Sequence, residues 1–268
     1  QRALALGSQL EQNLSVETHC ADSEEAIPSL LGKLGGGVPT FVNVDPYGHP
    51  LSLSVLNQIL RRPQTELMIN LMWYQINRDL NNPSERARID RLFGDVAWQG
   101  QPFMSDRGQS REAAFLEFFK SRLQARFVLE FKIRFDPEDL TRGDRTKYYL
   151  IHACNHIKAV NLMKSVMWPL GDEEGTFDYS GSSQGILISE TPTEIELREI
   201  LLRTFCGQTK TFDQIVQQTW QLPFLEKHYR NVLKSMEGNE VTVTRISSKR
   251  TGITGNDQIH FPEAHAIA

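Results

Sequence analysis

Short apolar runs alternate along the chain with segments carrying a hydrophobic stripe at helical spacing, the pattern of an α/β protein. Ala3, Leu6 and Leu10 recur every three to four residues, so 2–12 read as the tail of an amphipathic helix. Val16, Thr18 and Cys20 alternate with Glu17 and His19, which predicts a short strand. A helix follows through about Leu34, with Ser23 as its expected N-cap and Glu24 and Glu25 at the positive end of its dipole. Gly35-Gly36-Gly37 precedes a strand, whereas a glycine loop that cradles phosphate precedes a helix, so no phosphate role follows from it. Thr40–Val44 is β-branched and apolar, as a strand buried in a parallel sheet is.

That strand breaks into Asp45-Pro46-Tyr47-Gly48-His49-Pro50, a turn-forming cluster. A carboxylate is thereby placed at the carboxyl end of a central strand, the edge where open α/β sheets bind ligands. Leu51, Leu53, Val55, Leu56, Ile59 and Leu60 predict a helix that Pro63-Gln64 ends, and Glu66–Trp73 predicts a strand with Asn70 inside it. From Tyr74 to about Arg111 the chain is polar and interrupted by Pro83, Gly94, Gly100 and Pro102. One or two short helices are expected there, in a place suited to substrate recognition.

Glu112–Arg126 predicts a helix with an aromatic face. Phe127–Phe135 and Lys147–Cys154 predict an antiparallel hairpin at the sheet edge, and His156–Trp168 an amphipathic helix. Composition then shifts to Gly, Ser, Asp and Glu. Beyond lie three predicted helices, Thr193–Cys206, Phe212–Trp220 (capped by Thr211) and Phe224–Met236, then strands Glu240–Ile246 and Asp257–Phe261. Three helices followed by a hairpin is the order of a winged helix. The expected organisation is therefore an α/β unit over 1–171, a linker over 172–192 and a winged-helix unit over 193–268.

With 268 residues, 40% hydrophobic, the chain is long enough for two cores. The balance of 29 Lys+Arg against 33 Asp+Glu excludes a global basic field and leaves room only for a local basic face. No apolar run reaches membrane-spanning length and no signal-peptide pattern is present, so a cytoplasmic protein without a membrane partner is expected. Because the chain opens at Gln1 inside a helical pattern, further sequence upstream is also expected. Cys20, Cys154 and Cys206 are far apart, which fits thiols of a reducing compartment. His152-Ala-Cys-Asn-His156 groups ligand-type residues, but it straddles a switch from strand to helix and has no fourth ligand nearby, so no metal is assigned.

Helix, strand, helix, strand with Asp-Pro-Tyr-Gly, helix, strand, edge hairpin is also the order of the second half of a class I methyltransferase. The run Phe41-Val42-Asn43-Val44-Asp45-Pro46-Tyr47-Gly48-His49-Pro50, then Thr65-Glu-Leu-Met-Ile-Asn-Leu71, then Lys147-Tyr-Tyr-Leu-Ile-His-Ala153 resembles the bacterial three-Cys-motif partner (TcmP) family over nearly the whole chain. The Asp-Pro-Tyr-Gly-His-Pro motif alone is similar to the Asp-Pro-Phe-Gly-Ser-Pro of tRNA guanine-N2 methyltransferases. These resemblances imply a Rossmann-like methyltransferase sheet with its first strands missing, followed by a winged helix. They also imply S-adenosylmethionine as cofactor and an exocyclic amine of a nucleic-acid base as substrate.

On that reading Asp45 and the Pro46 carbonyl accept hydrogen bonds from the amine, Tyr47 stacks on the base, and Gly48 lets the backbone approach. Asp22 and Ser23 would face the cofactor, His49, Asn70 and Arg78 the substrate, and Lys249 and Arg250 on the wing the nucleic-acid phosphates. Family members generally open with Phe-Ala-Gly-Pro-Gly, the glycine-rich cofactor motif, and this sequence has no such segment. The rival expectation is a non-catalytic scaffold with a degenerate methyltransferase fold that binds nucleic acid or a protein partner.

Overall fold

The computed structural model describes residues 15–48, 50–135, 145–168, 178–179, 194–246 and 251–263. The expected helix over 2–12 lies outside them. Residues 15–20 form no strand, and 15–22 are exposed throughout, which corrects the strand expected there. Alternation alone does not hold a strand; it needs a hydrogen-bonded neighbour and a face to bury.

Helix α1 is Ser23–Lys33, and Asp22 rather than Ser23 is its N-cap, its Oδ1 accepting from the Glu24 N–H at 2.8 Å. Strand β1 is Thr40–Val44. Helix α2, Leu53–Leu60, starts two residues later than Leu51 because Ser52 caps it, and buries Leu56, Ile59 and Leu60. Strand β2 is Thr65–Leu71. The strand expected to run on to Trp73 stops at Leu71, and Trp73 opens α3, Trp73–Asp79. The polar excursion holds more structure than expected: α4, Arg86–Phe93, three 3-10 turns, and the first turn of α5, Gly108–Ser121. The reason is aromatic. Phe93, Phe103, Phe115 and Phe119 pack ring against ring with centroids 5.3–6.5 Å apart, and burying such rings orders an otherwise polar stretch.

Strands β3, Phe127–Arg134, and β4, Thr146–Cys154, form the expected antiparallel hairpin. Helix α6 is Ile157–Met167. Asp178–Tyr179, within the segment expected as linker, adds a two-residue strand β5 parallel to β3. The sheet order is β1-β2-β4-β3-β5, with β1 parallel to β2 and β4 opposed to both of its neighbours. The result is a mixed sheet in which β1, β2 and β3 all end at one edge. Leu67, Ile69 and Leu71 of β2 face a core with α2, α4 and α5, while Met68, Phe131 and Ile133 face Met167 of α6 on the other side.

The C-terminal unit has helix α7, Glu194–Phe205, strand β6, Thr209–Thr211, helices α8, Phe212–Gln218, and α9, Glu226–Met236, and strands β7, Thr242–Thr244, and β8, Gln258–His260. Its sheet order is β6-β8-β7, antiparallel throughout, over a core of Leu197, Leu201, Phe205, Phe212, Ile215, Leu233 and Phe261. Thr211 and Gln214 form a reciprocal cap: the Gln214 N–H donates to the Thr211 hydroxyl at 3.2 Å, and the Thr211 N–H to the Gln214 amide oxygen at 2.9 Å. Thr211→Ala is expected to lower stability by about 1 kcal/mol. A shifted urea midpoint at unchanged slope is the readout.

Helix α6 joins the two units. The Lys164 ammonium, 3% exposed, donates to the carbonyls of Trp220 and Leu222. The Asn161 amide donates to Glu226 at 2.5 Å, and Phe127 packs edge-on against Trp220 with centroids 5.3 Å apart. No helix among the described residues is long and apolar enough to cross a membrane.

Candidate functional site

The parallel register sets Val44 beside Ile69, so the next residues along, Asp45 and Asn70, are neighbours at the carboxyl edge of the sheet. The Asn70 amide nitrogen donates to Asp45 Oδ1 at 2.7 Å. Two residues singled out separately in the sequence are thus one pair. Asp45 itself is exposed, and it caps no helix, because Ser52 performs that task for α2. Its carboxylate is oriented from one side and open on the other. The Asn70 amide oxygen is buried and has no hydrogen-bond partner among the described residues.

The turn beyond is fixed by its backbone. The Gly48 N–H donates to the Pro46 carbonyl at 3.1 Å, and Gly48 sits at φ +111°, a conformation that side chains disfavour. A Cβ on Gly48 would meet nothing within 4 Å, so the requirement there is conformational and not one of close approach. Tyr47, between them, is fully exposed. Its ring is presented to solvent beside Asp45. One lone pair of the Pro46 carbonyl is used by Gly48, and one remains. His49 lies outside the described residues.

Asp22 and Ser23 stand at the same edge. Glu24, in the first turn of α1, accepts from the Ser52 N–H at 2.6 Å and from its hydroxyl at 2.7 Å, which pins the start of α1 to the start of α2. Asp22 spends one oxygen as the cap of α1, and both Asp22 and Ser23 are exposed. With 15–22 all exposed, the described residues do not enclose a pocket for a nucleoside around Asp22. As described, Asp22 and Ser23 do not make a cofactor pocket.

Arg78 joins a different group. It lines a cleft of about 460 Å³ at the same sheet edge, between α3, the start of α5 and the β3–β4 hairpin, together with Lys132, Arg134, Arg145, Glu112 and Thr146. Glu112 accepts from the Thr146 hydroxyl at 2.5 Å and from the Tyr149 hydroxyl, with the Lys132 ammonium 3.6 Å away. Burial, and then the hydrogen bond to Glu112, push the Tyr149 phenol above its ordinary range, so it stays a donor. Of the cations only Arg78 stands out in the sequence. Lys132 and Arg134 alternate with Phe131 and Ile133, a period-two signal for one polar face, but nothing local says that Arg78 and Arg145 join them.

The His152–His156 cluster resolves into separate contacts at the opposite edge. His152 is fully buried with Nε2 2.9 Å from Glu66, and its burial lowers its pKa. The Cys154 thiol donates to the His156 carbonyl at 3.6 Å and is pushed up to about 11 by burial, the behaviour of a structural thiol rather than a nucleophile. Among the described residues no three His, Cys, Asp or Glu side chains converge on a metal-sized site. Lys249 and Arg250 lie outside the described residues. In comparisons with known proteins, no family model, curated protein or solved structure matches the chain.

Proposed function

We propose that the sheet edge at Asp45 binds and orients an exocyclic amine of a nucleic-acid base for S-adenosylmethionine-dependent methylation. On this reading the chain is a Rossmann-like methyltransferase unit followed by a winged helix. One observation carries it: the Asp45 carboxylate is held by Asn70 at 2.7 Å at a strand end, exposed, and not used as a helix cap. The strand order β1-β2-β4-β3 with β4 reversed supports the methyltransferase-like reading of the sheet. The order helix, strand, helix, helix, hairpin in 194–260 supports the winged-helix reading.

The chemistry assigned to this chain's residues is on the acceptor side. Asn70 occupies Asp45 Oδ1 and leaves Oδ2 for an amine N–H, and the second amine hydrogen meets the free lone pair of the Pro46 carbonyl. Two acceptors on one NH₂ fix its plane and draw its lone pair out of conjugation with the base, which makes the nitrogen the nucleophile. The exposed Tyr47 ring offers a stacking face for an unstacked base, an interaction worth about 1–3 kcal/mol. The methyl group itself would come from the cofactor, for which the described residues around Asp22 supply no enclosed pocket.

Transfer of a tritiated methyl group from S-adenosylmethionine to total tRNA and to unmethylated DNA is the test. Labelling of either pool is expected, and labelling of neither would remove the reading's main support. The use of Asp22 as a helix cap favours a second reading, a non-catalytic scaffold that binds nucleic acid or a protein partner. Under that reading calorimetry shows no heat with S-adenosylmethionine even at millimolar concentration.

A further inference from the structure

We infer that the cavity at the amino edge of the sheet, under the first turn of α6, binds a small molecule that carries an N–H donor and an anionic group, the donor on Glu66 and the anion on Lys158. The cavity holds about 460 Å³, and Leu60, Gln64, Glu66, Cys154, Lys158 and Ala159 are among the residues that line it. Apolar walls with a few placed polar groups are the make-up of a small-molecule site. The cavity lies at the opposite end of β2 from Asn70, so the inference does not rest on the function proposed for Asp45.

Glu66 is aimed from behind. Its carboxylate lies 2.9 Å from Nε2 of His152, and the Glu66 side chain is 32% exposed while that of His152 is wholly buried. Burial lowers the pKa of His152, so its ring is neutral, with Nε2 carrying the proton and donating it to the carboxylate. Nδ1 is then a bare acceptor, buried and without a partner among the described residues. The register sets His152 between Met68 and Leu129, where a hydrophobic side chain would cost less than an imidazole with one orphan nitrogen. What the imidazole adds is a fixed carboxylate on the cavity wall. Its second oxygen has no hydrogen-bond partner among the described residues.

The anion end is a side chain and not a helix terminus, because His156 Nδ1 already accepts from the Lys158 N–H at 3.2 Å. The Lys158 ammonium is exposed and pairs with no carboxylate among the described residues. Arg61 and Arg62 also line the cavity, but they donate to Gln124 at 3.0 Å and to the Leu31 carbonyl at 2.7 Å. Gln64 marks the same rim. At φ +54° it is the one non-glycine among the described residues in the left-handed region, and its carbonyl accepts from the Thr40 N–H at 2.9 Å, which ties that strained turn to the start of β1. Strain of this kind collects at ligand sites.

Two kinds of small molecule share the required chemistry: α-amino acids, through ammonium and carboxylate, and nucleoside monophosphates, through a base N–H and the phosphate. Isothermal titration calorimetry of the full chain with each set is the test, and the set that gives heat names the source. A Kd below about 1 mM is expected for at least one member. Glu66→Gln keeps an oxygen for His152 and so the fold, and is expected to weaken binding about tenfold or more. Glu66→Asp, with the charge drawn back by one methylene, is expected to fall between it and wild type. Lys158→Ala is expected to cost about three- to tenfold, as is removing the ligand's anion by using the amino-acid amide or the nucleoside, with no further loss when the two are combined. The Nε2–H proton resonance of His152 is expected to move on saturation in wild type and to stay still in Glu66→Gln, a response that a purely structural histidine would not give. Absence of heat from both sets at about 10 mM ligand overturns the inference. So does unchanged affinity in Glu66→Gln or in Lys158→Ala. Methyl transfer by Glu66→Gln at the wild-type rate is expected, and failure of the wild type to transfer methyl groups would leave the cavity's ligand untouched.

Discussion

Asp45→Asn is expected to leave the chain folded and to slow methyl transfer by about two orders of magnitude, the effect of losing one electrostatic contact that orients the reacting amine. No cap is lost, since Ser52 starts α2, and the Asn70 amide can donate to an amide oxygen as it does to the carboxylate. What changes is the open side of the group. A charged acceptor becomes an amide that is free to turn an NH₂ towards the substrate's own NH₂, and two donors facing each other do not orient a lone pair. The comparison is tritium incorporation into the better-labelled pool, wild type against variant, at matched melting temperature. Equal incorporation would leave Asp45 as a conformational feature of the turn and move the chemistry elsewhere.

Lys164 supplies the second large effect, in stability. Burial lowers its pKa from 10.5 to about 8. A depressed ammonium pKa means that the unfolded chain binds the extra proton between those values, so stability rises with pH across that window. Below about pH 8 the buried charge is a standing penalty. By about pH 9.5 roughly 2 kcal/mol of it is relieved, while the neutral amine keeps two N–H donors for the carbonyls of Trp220 and Leu222. Wild type is therefore expected to gain about 2 kcal/mol over Lys164→Met between pH 7.5 and 9.5 in paired urea titrations, a difference in which other titrating groups cancel. Parallel pH profiles for the two proteins would show that the ammonium is not desolvated at the junction.

Much of the α/β unit is legible because its strands are apolar runs ended by turn residues. Thr40–Val44, Glu66–Leu71 and the two hairpin strands stand out for that reason, and the break at Asp45-Pro46 marks the carboxyl edge of the sheet. Alternation misleads at Val16–Cys20, where no neighbouring strand is present among the described residues to satisfy the backbone. Each half of the Asp45–Asn70 pair can be found in the sequence, but their contact depends on a one-residue offset in a parallel register that no local signal carries. The basic cleft gathers residues 78, 132, 134 and 145, which only the reversed β4 strand brings together. Lys164 leaves a trace. It falls four residues after Val160 and three before Met167, on the buried stripe of α6, where a lysine needs acceptors from another element.

The junction that Lys164 holds also gives the molecule an optical division. Of its four tryptophans, Trp73 and Trp98 lie in the core of the α/β unit, 4% and 2% exposed, while Trp220 abuts Phe127 and Trp168 lies 4.7 Å from the His228 ring. Parting of the two units would wet the second pair and spare the first. Its emission would then shift to the red by a partial step, ahead of the full shift that accompanies loss of the sheet, so that hinge opening and unfolding are separable by colour alone.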